Sequence, residues 1–290
     1  MSCSVFIFDA CTLINLFHID EDYMLFNEIQ KHNIYIAEEV INEVKKNAFN
    51  KYRLLDIYKV SYDADKKEEI DYKISALIKF QVKNKKIKTD CGVLFDENKK
   101  FNNYYKLNGE FISSCLALIK SRERNHPANF YTDDYPALKA FQTYFNFQKI
   151  GVIQDSVDLL MYLYWTSESI TLKNLKNFLS LLLYEYSIEL TLLLDQIRKR
   201  KTTIQRLTKD KKIMSLLNEL ENALANLRFF KINKLKNEIM SFKRQIPYLC
   251  DMLDSFSKIF EVDNQGEDNL FMKIRNTSDW VNKYEIFKIN

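Results

Sequence analysis

A chain of 290 residues that is 47% hydrophobic and 28% charged can bury one large core or two ordinary ones, which excludes disorder as its default state. A net charge of +4 suits an anionic partner without demanding one, and only four glycines and three prolines predict few tight turns and long helices. Five scattered cysteines (Cys3, Cys11, Cys91, Cys115, Cys250) without a Cys-x-x-Cys pair argue against a disulfide framework and predict free buried thiols in a reducing, cytoplasmic compartment.

Val5-Phe6-Ile7-Phe8 reads as a short strand buried on both faces. Asp9 follows at once, and Leu13, Ile14, Leu16 and Phe17 then recur at helical spacing. This apolar start is too short for a signal peptide, and Asp9 interrupts it. Asp9 fits a helix cap as well as an active-site acid, because Asp is a favoured N-cap residue and ligands of open α/β sheets bind at the carboxyl ends of strands. Ile34-Tyr35-Ile36 is a second strand. In the helix after it Val40, Ile41 and Val44 share one face, and Glu39 and Glu43 another. For Glu43 alone, a solvated face beside Lys45 and Lys46 is the plainer reading.

Leu54 to Tyr62 alternates loosely and reads as a third strand, and Asp65 to Gln81 as an amphipathic helix with Ile70, Ile74, Leu77 and Ile78 inward. A polar segment with Lys83, Lys85, Lys86 and Lys88 runs on to about Asn108 as a loop or helix extension. Gly109-Glu110 opens a helix striped by Ile112, Cys115, Leu116 and Ile119. Glu110 in its first turn also suits the helix dipole. Phe130-Tyr131 is a strand, Thr132-Asp133-Asp134 a turn, and Pro136 starts another helix that turns Leu138, Phe141 and Phe145 inward. Lys149 to Gln154 is a last strand, and Asp155 to Asp158 leads into a helix. Alternating strands and helices over residues 1–165 predict a parallel α/β sheet.

Acids thus recur where strands give way to helices: Asp9, Asp133 and Asp134, Asp155 and Asp158, with Glu43 and Glu110 on early turns of helices. Several acids gathered at one edge repel one another unless a cation sits among them, and hard divalent cations prefer oxygen ligands. The histidines His18, His32 and His126 lack zinc spacing, and no phosphate-cradling glycine loop or nucleophile elbow is present, so any chemistry falls to carboxylates. Arg122 and Arg124 stand too close to His126 for an Arg-x4–6-His ribonuclease motif.

The order of these motifs resembles the PIN-domain nucleases over about residues 4–170: Asp9-Ala10-Cys11-Thr12-Leu13-Ile14 after a strand, Glu43-Val44 in a helix, Gly109-Glu110 opening a later one, Thr132-Asp133-Asp134 after the fourth strand, and Gly151-Val152-Ile153 through Asp158-Leu159-Leu160 at the end. The resemblance implies a PIN-like three-layer α/β domain over residues 1–168 and a metal-dependent endoribonuclease. Its catalytic acids would be Asp9, Glu43, Glu110 and Asp134. Asp9, Glu110 and one or both of Asp133 and Asp134 would be ligands of Mg²⁺ or Mn²⁺, and Thr12 a nucleic-acid contact. Two features depart from the family pattern: Cys11 stands where a small polar residue is common, and residues 83–108 lengthen the middle. A toxin or phage-defence role held off by an antitoxin is a family habit. The alternative is a non-catalytic PIN-like scaffold that binds a partner.

Residues 169–290 read as an all-helical appendage. Thr171 caps a helix that packs Leu172, Leu175, Phe178, Leu179 and Leu182. The apolar run Phe178 to Leu194 carries Glu185 and Glu189 and reads as a buried helix, so no membrane contact is expected. Eight cations with only Asp210 among them lie between Ile197 and Lys212, and Arg198, Lys199, Arg200 and Lys201 form a candidate phosphate-binding strip for RNA. Leu217, Leu220, Leu224 and Leu227, then Ile232 to Phe260, form a coiled-coil-like seam with a slip at Phe229-Phe230 and a break at Pro247. This predicts a helical hairpin whose seam is an internal core, with homodimerisation or a protein partner as the other use of such a face. Asn264 to Asn290, with Phe271, Ile274, Trp280 and Phe287, predicts a short docking helix.

Overall fold

The computed structural model describes residues 5–57, 65–101, 107–207, 211–226, 228–256 and 270–284. The chain divides into two compact units, Met1–Leu182 with Thr277–Asn290, and Leu183–Asn276. The break thus falls later than residue 168, inside a long helix, and the end of the chain belongs with the first unit.

In the first unit β1 (Val5–Phe8) leads into α1 (Ala10–Ile19), followed by α2 (Met24–Ile29), β2 (Asn33–Ala37), α3 (Glu38–Asn47), α4 (Asn50–Ile57), α5 (Asp65–Ala76) and a single 3-10 turn, Leu77–Phe80. Next come β3 (Gln81–Val82), α6 (Asn84–Cys91), α7 (Val93–Phe101), α8 (Gly109–Arg124), β4 (Ala128–Tyr131), α9 (Tyr135–Gln148), β5 (Gly151–Gln154) and α10 (Ser156–Thr166). The five strands form one sheet in the order β3-β2-β1-β4-β5, with every pairing parallel. Every residue of β1 is buried, so both faces of the sheet are covered, as a parallel sheet requires. Strand β5 lies tight against β4. A Cβ on Gly151, whose φ is +149°, would overlap the Ala128 backbone, so only glycine fits there.

Three expectations need correction. The described part of the proposed strand at 54–62 belongs to helix α4, and the remainder, from residue 58, lies outside the described residues. Tyr52 and Leu55 are its buried positions, three apart, which is helical spacing that a loose two-residue alternation obscures. The helix begun at Asp65 stops at Ala76, because the chain turns there to add β3 to the sheet edge, which leaves Ile78 52% exposed. The polar segment after Val82 holds two helices. They bury Ile87, Cys91 and Phe95, and Asn98 is held by Ser114 of α8 at 2.8 Å, so sparse apolar anchors suffice.

Helix α11 (Leu172–Leu207) is started by Thr171, whose hydroxyl accepts the Asn174 N–H at 3.2 Å. Among the described residues it is the one helix long and apolar enough to cross a membrane, by length and composition, with 24% of that window buried. Its buried residues Leu175, Phe178, Leu179 and Leu182 in the first unit keep to one helical face, and Leu193 and Ile197 in the second stand four apart.

The second unit also contains α12 (Lys211–Ala225), α13 (Phe229–Met240) and α14 (Pro247–Ser255). Helices α12 and α13 pack together as a hairpin, burying Ile213, Leu217, Leu220 and Leu224 with Ile232, Leu235 and Ile239. The chain breaks where the slip and the proline predict. Leu227 and Phe260 of the proposed seam lie outside the described residues. Helix α15 (Leu270–Lys283) buries Phe271 and Ile274 but leaves Trp280 47% exposed, and Phe287 is not among the described residues.

Candidate active site

The strand order reverses direction between β1 and β4, the kind of point at which an open parallel sheet leaves a crevice beyond its carboxyl ends. Phe8 pairs with Tyr131, so Asp9 and Thr132 emerge side by side, and the Asp9 N–H donates to the Tyr131 carbonyl at 2.9 Å. Asp9 has the extended backbone of an N-cap residue, but its side chain makes no capping bond to α1. Instead Oδ2 accepts the Cys11 thiol at 2.9 Å and the Thr132 hydroxyl at 3.2 Å. Oδ1 is buried without a hydrogen-bond partner. Burial pushes the Asp9 carboxyl up to about 6, the Cys11 and Thr132 hydrogen bonds pull it down, and the charge of Glu43 pushes it further up.

Helix α8 brings Glu110 to the same place. One turn along it, Ser113 donates its hydroxyl to the Phe8 carbonyl at 3.3 Å and so pins the helix start to the end of β1. Glu110 Oε2 is buried and unpartnered. Burial raises the Glu110 carboxyl to about 8, and the charges of Asp9, Asp134 and Glu43 add to the rise. Glu43 reaches in from α3, where its Oε1 accepts the Gly109 N–H at 3.0 Å. A Cβ on Gly109 would lie 2.6 Å from Glu43 Oε2, so the missing side chain is what admits this approach. Burial raises the Glu43 carboxyl too, with the nearby Glu39 charge in support. Glu43 is therefore drawn into the acid group and is not a solvated helix residue.

The remaining acids have structural duties. Asp133 is fully engaged: Asn15 Nδ2 donates to it at 2.6 Å, the Ser156 N–H at 2.7 Å and the Ser156 hydroxyl at 2.5 Å. It staples the end of β4 to α1 and to the start of α10, and both its oxygens have protein donors. Asp134 caps α9, accepting the Ala137 N–H at 3.1 Å through Oδ1, yet its charge still acts on Glu110. Asp155 and Asp158 form a capping box at the start of α10. Thr12 is fully buried, with its hydroxyl unpartnered, which corrects its reading as a nucleic-acid contact.

Glu110 thus feels the charges of Asp9, Asp134 and Glu43, and Asp9 feels that of Glu43. Among the described residues no three His, Cys, Asp or Glu side chains stand close enough to hold a metal ion as placed. Asp9 and Glu110 nonetheless fit a cation: each offers one buried oxygen that no protein donor reaches, beside a like charge.

From sequence, Cys11 stands as a free thiol and a departure from the family pattern, Gly109 as a helix opener, and Asn15, Ser113 and Ser156 carry no assigned role. Burial and the charges of Asp9 and Asp133 push the Cys11 thiol well above its usual range, so it stays protonated and donates to Asp9 while accepting the Asp133 N–H at 3.2 Å. The signal was there for part of this set, since Cys11 and Asn15 stand four apart on one face of α1.

The basic run divides. Arg198 and Lys201 both pair with Glu221 of α12, at 2.8 and 3.0 Å, which corrects their reading as members of a free phosphate strip. Lys199 pairs with Asp195 at 2.6 Å on the same helix, and Arg200 keeps a buried, unpartnered Nε. Comparison with family models, with curated proteins and with solved structures gives no match to this chain.

Proposed function

We propose that the first unit is a PIN-like nuclease domain that hydrolyses RNA phosphodiester bonds with Mg²⁺ or Mn²⁺. One observation carries the reading: Asp9 Oδ1 and Glu110 Oε2 are buried acid oxygens without protein donors, at the carboxyl edge of a parallel sheet where its strand order reverses. Burying two like-charged, incompletely bonded carboxylates is costly, and a cation relieves the cost. Asp9 and Glu110 would hold the ion, with Glu43 and Asp134 beside them. When bound, it supplies charge neutralisation at the phosphate and an acidified water.

The chain's own groups do the positioning. Cys11 and Thr132 fix Asp9 Oδ2, which leaves Oδ1 as the oxygen that would meet a cation. The Gly109 N–H orients Glu43, and Asp133 holds together the elements that carry Asp9 and Asp134. A cytoplasmic toxin or phage-defence effector, with an antitoxin or other partner on the C-terminal helices, is the setting that suits such an enzyme.

The test is cleavage of single-stranded RNA with Mn²⁺, compared with chelator, followed by analysis of the product ends. Metal-dependent cleavage leaving 5′-phosphates, and lost in Asp9→Asn and Glu110→Gln, is expected. Undiminished cleavage in Asp9→Asn would remove the acid group from the mechanism. A protein that folds but neither binds Mn²⁺ nor cleaves RNA would favour the scaffold reading.

A further inference from the structure

The second unit contains a cavity of about 700 Å³ between the later part of α11 and the turn that leads into α14. That volume lies in the range of about 300–1,000 Å³ common to small-molecule sites. Arg200 and Arg244 bring two guanidinium groups to its wall beside Lys199, which Asp195 pairs at 2.6 Å, and none of its described lining residues is acidic. Arg200 Nε–H is a buried donor with no acceptor among the described residues, and the rest of its guanidinium group lies at the cavity wall. Pro247 at the first position of α14 places the positive end of that helix at the cavity, and the helix is nine residues long. Beside these groups Tyr248 is 78% exposed, which leaves an aromatic face open at the cavity. Gln196 and Gln245 add amides, which can both donate and accept hydrogen bonds.

We propose that this cavity binds a free nucleoside polyphosphate. Its phosphates lie against Arg200 and Arg244 at the start of α14, and its base stacks on Tyr248. Guanidinium groups match phosphate oxygens in pairs, and any base offers a face for an aromatic ring. A concave site favours a compact ligand over a strand of RNA. The cations that would have extended a strip along α11, Arg198 and Lys201, are already occupied by Glu221. The proposal stands independently of the nuclease reading, because every residue it uses lies in the second unit.

The experiment is calorimetric titration of the full chain in chelator with ATP and GTP, with inorganic triphosphate and with a short single-stranded RNA. Thermal melting serves as the check on folding. At least one nucleoside triphosphate is expected to bind, about tenfold or more tighter than inorganic triphosphate. Arg200→Gln and Arg244→Gln should each weaken it by roughly tenfold or more, and Tyr248→Ala by about tenfold. Arg198→Gln, whose guanidinium faces Glu221, should leave it within about twofold. Absence of nucleotide binding at millimolar concentration would overturn the proposal. So would equal losses in Arg198→Gln and Arg200→Gln, or RNA binding through these residues without nucleotide binding. If Arg200→Gln fails to fold, Arg244→Gln and Tyr248→Ala on the exposed rim decide the matter.

Discussion

Asp9 and Asp133 follow neighbouring strands of one sheet, and both are buried, at 1% and 8% exposure, yet their carboxylates meet opposite surroundings. Asp133 accepts three strong donors from Asn15 and Ser156 and acts as a staple. Asp9 receives a thiol and a hydroxyl on one oxygen and nothing on the other. Glu110 sides with Asp9, and Asp155 with its capping box sides with Asp133. Burial alone therefore does not distinguish a site acid from a structural one. The supply of donors does, because an acid denied its hydrogen bonds is stabilised only by a proton or a cation.

The contrast breaks most sharply at Asp9. Asp9→Asn should lower metal-dependent RNA cleavage by about 10³-fold while the melting temperature holds or rises, since a buried charge is removed. Cleavage assays and thermal melts on the same preparation check both halves. If stability collapsed instead, Asp9 would belong with Asp133.

Asp133→Ala should do the reverse and cost about 3 kcal/mol of stability, because buried donors on Asn15 and Ser156 lose their acceptor. Urea unfolding measures this, and an unchanged midpoint would deny the staple.

The pH dependence sharpens the same difference. Asp9 at about 6 and Glu110 at about 8 lie above their unfolded values near 4, so the folded protein holds more protons than the unfolded one between those limits. Stability of the metal-free protein should therefore be greatest at low pH as far as these two groups decide it. It should fall by several kcal/mol as pH rises from about 4 to about 8, since each pH unit by which a carboxyl is displaced is worth about 1.4 kcal/mol. Mn²⁺ should restore most of that loss at the upper end. Melting across this range, in chelator and separately in Mn²⁺ without chelator, is the measurement, and a flat profile would mean that the two carboxyls are not desolvated as described.

Asp155→Ala has the smallest expected effect. Loss of the capping box should cost about 1 kcal/mol and leave cleavage unchanged per folded molecule.

Local patterns made much of the fold legible. The apolar tetrad Val5–Phe8, the strand and helix alternation up to residue 165 and the Thr171 cap are short-range signals, and each stands where its pattern implies. Helix α4 was misread because its few apolar positions carry too little periodicity, and the helices after Val82 were missed because their anchors are sparse. The candidate site was legible as a set of acids in chain order. Their sorting was not, since Thr132 lies 123 positions from Asp9 and Asn15 lies 118 from Asp133.

By itself the sequence determined which segments could become buried strands and helices and which residues could carry charge at the sheet edge, because periodicity and side-chain chemistry act within a few residues. Only the tertiary structure decided that Asp133 is saturated, that Gly109 makes room for Glu43, and that Arg198 and Arg200 part company. Hydrogen-bond supply and desolvation are set by neighbours that folding delivers from remote parts of the chain.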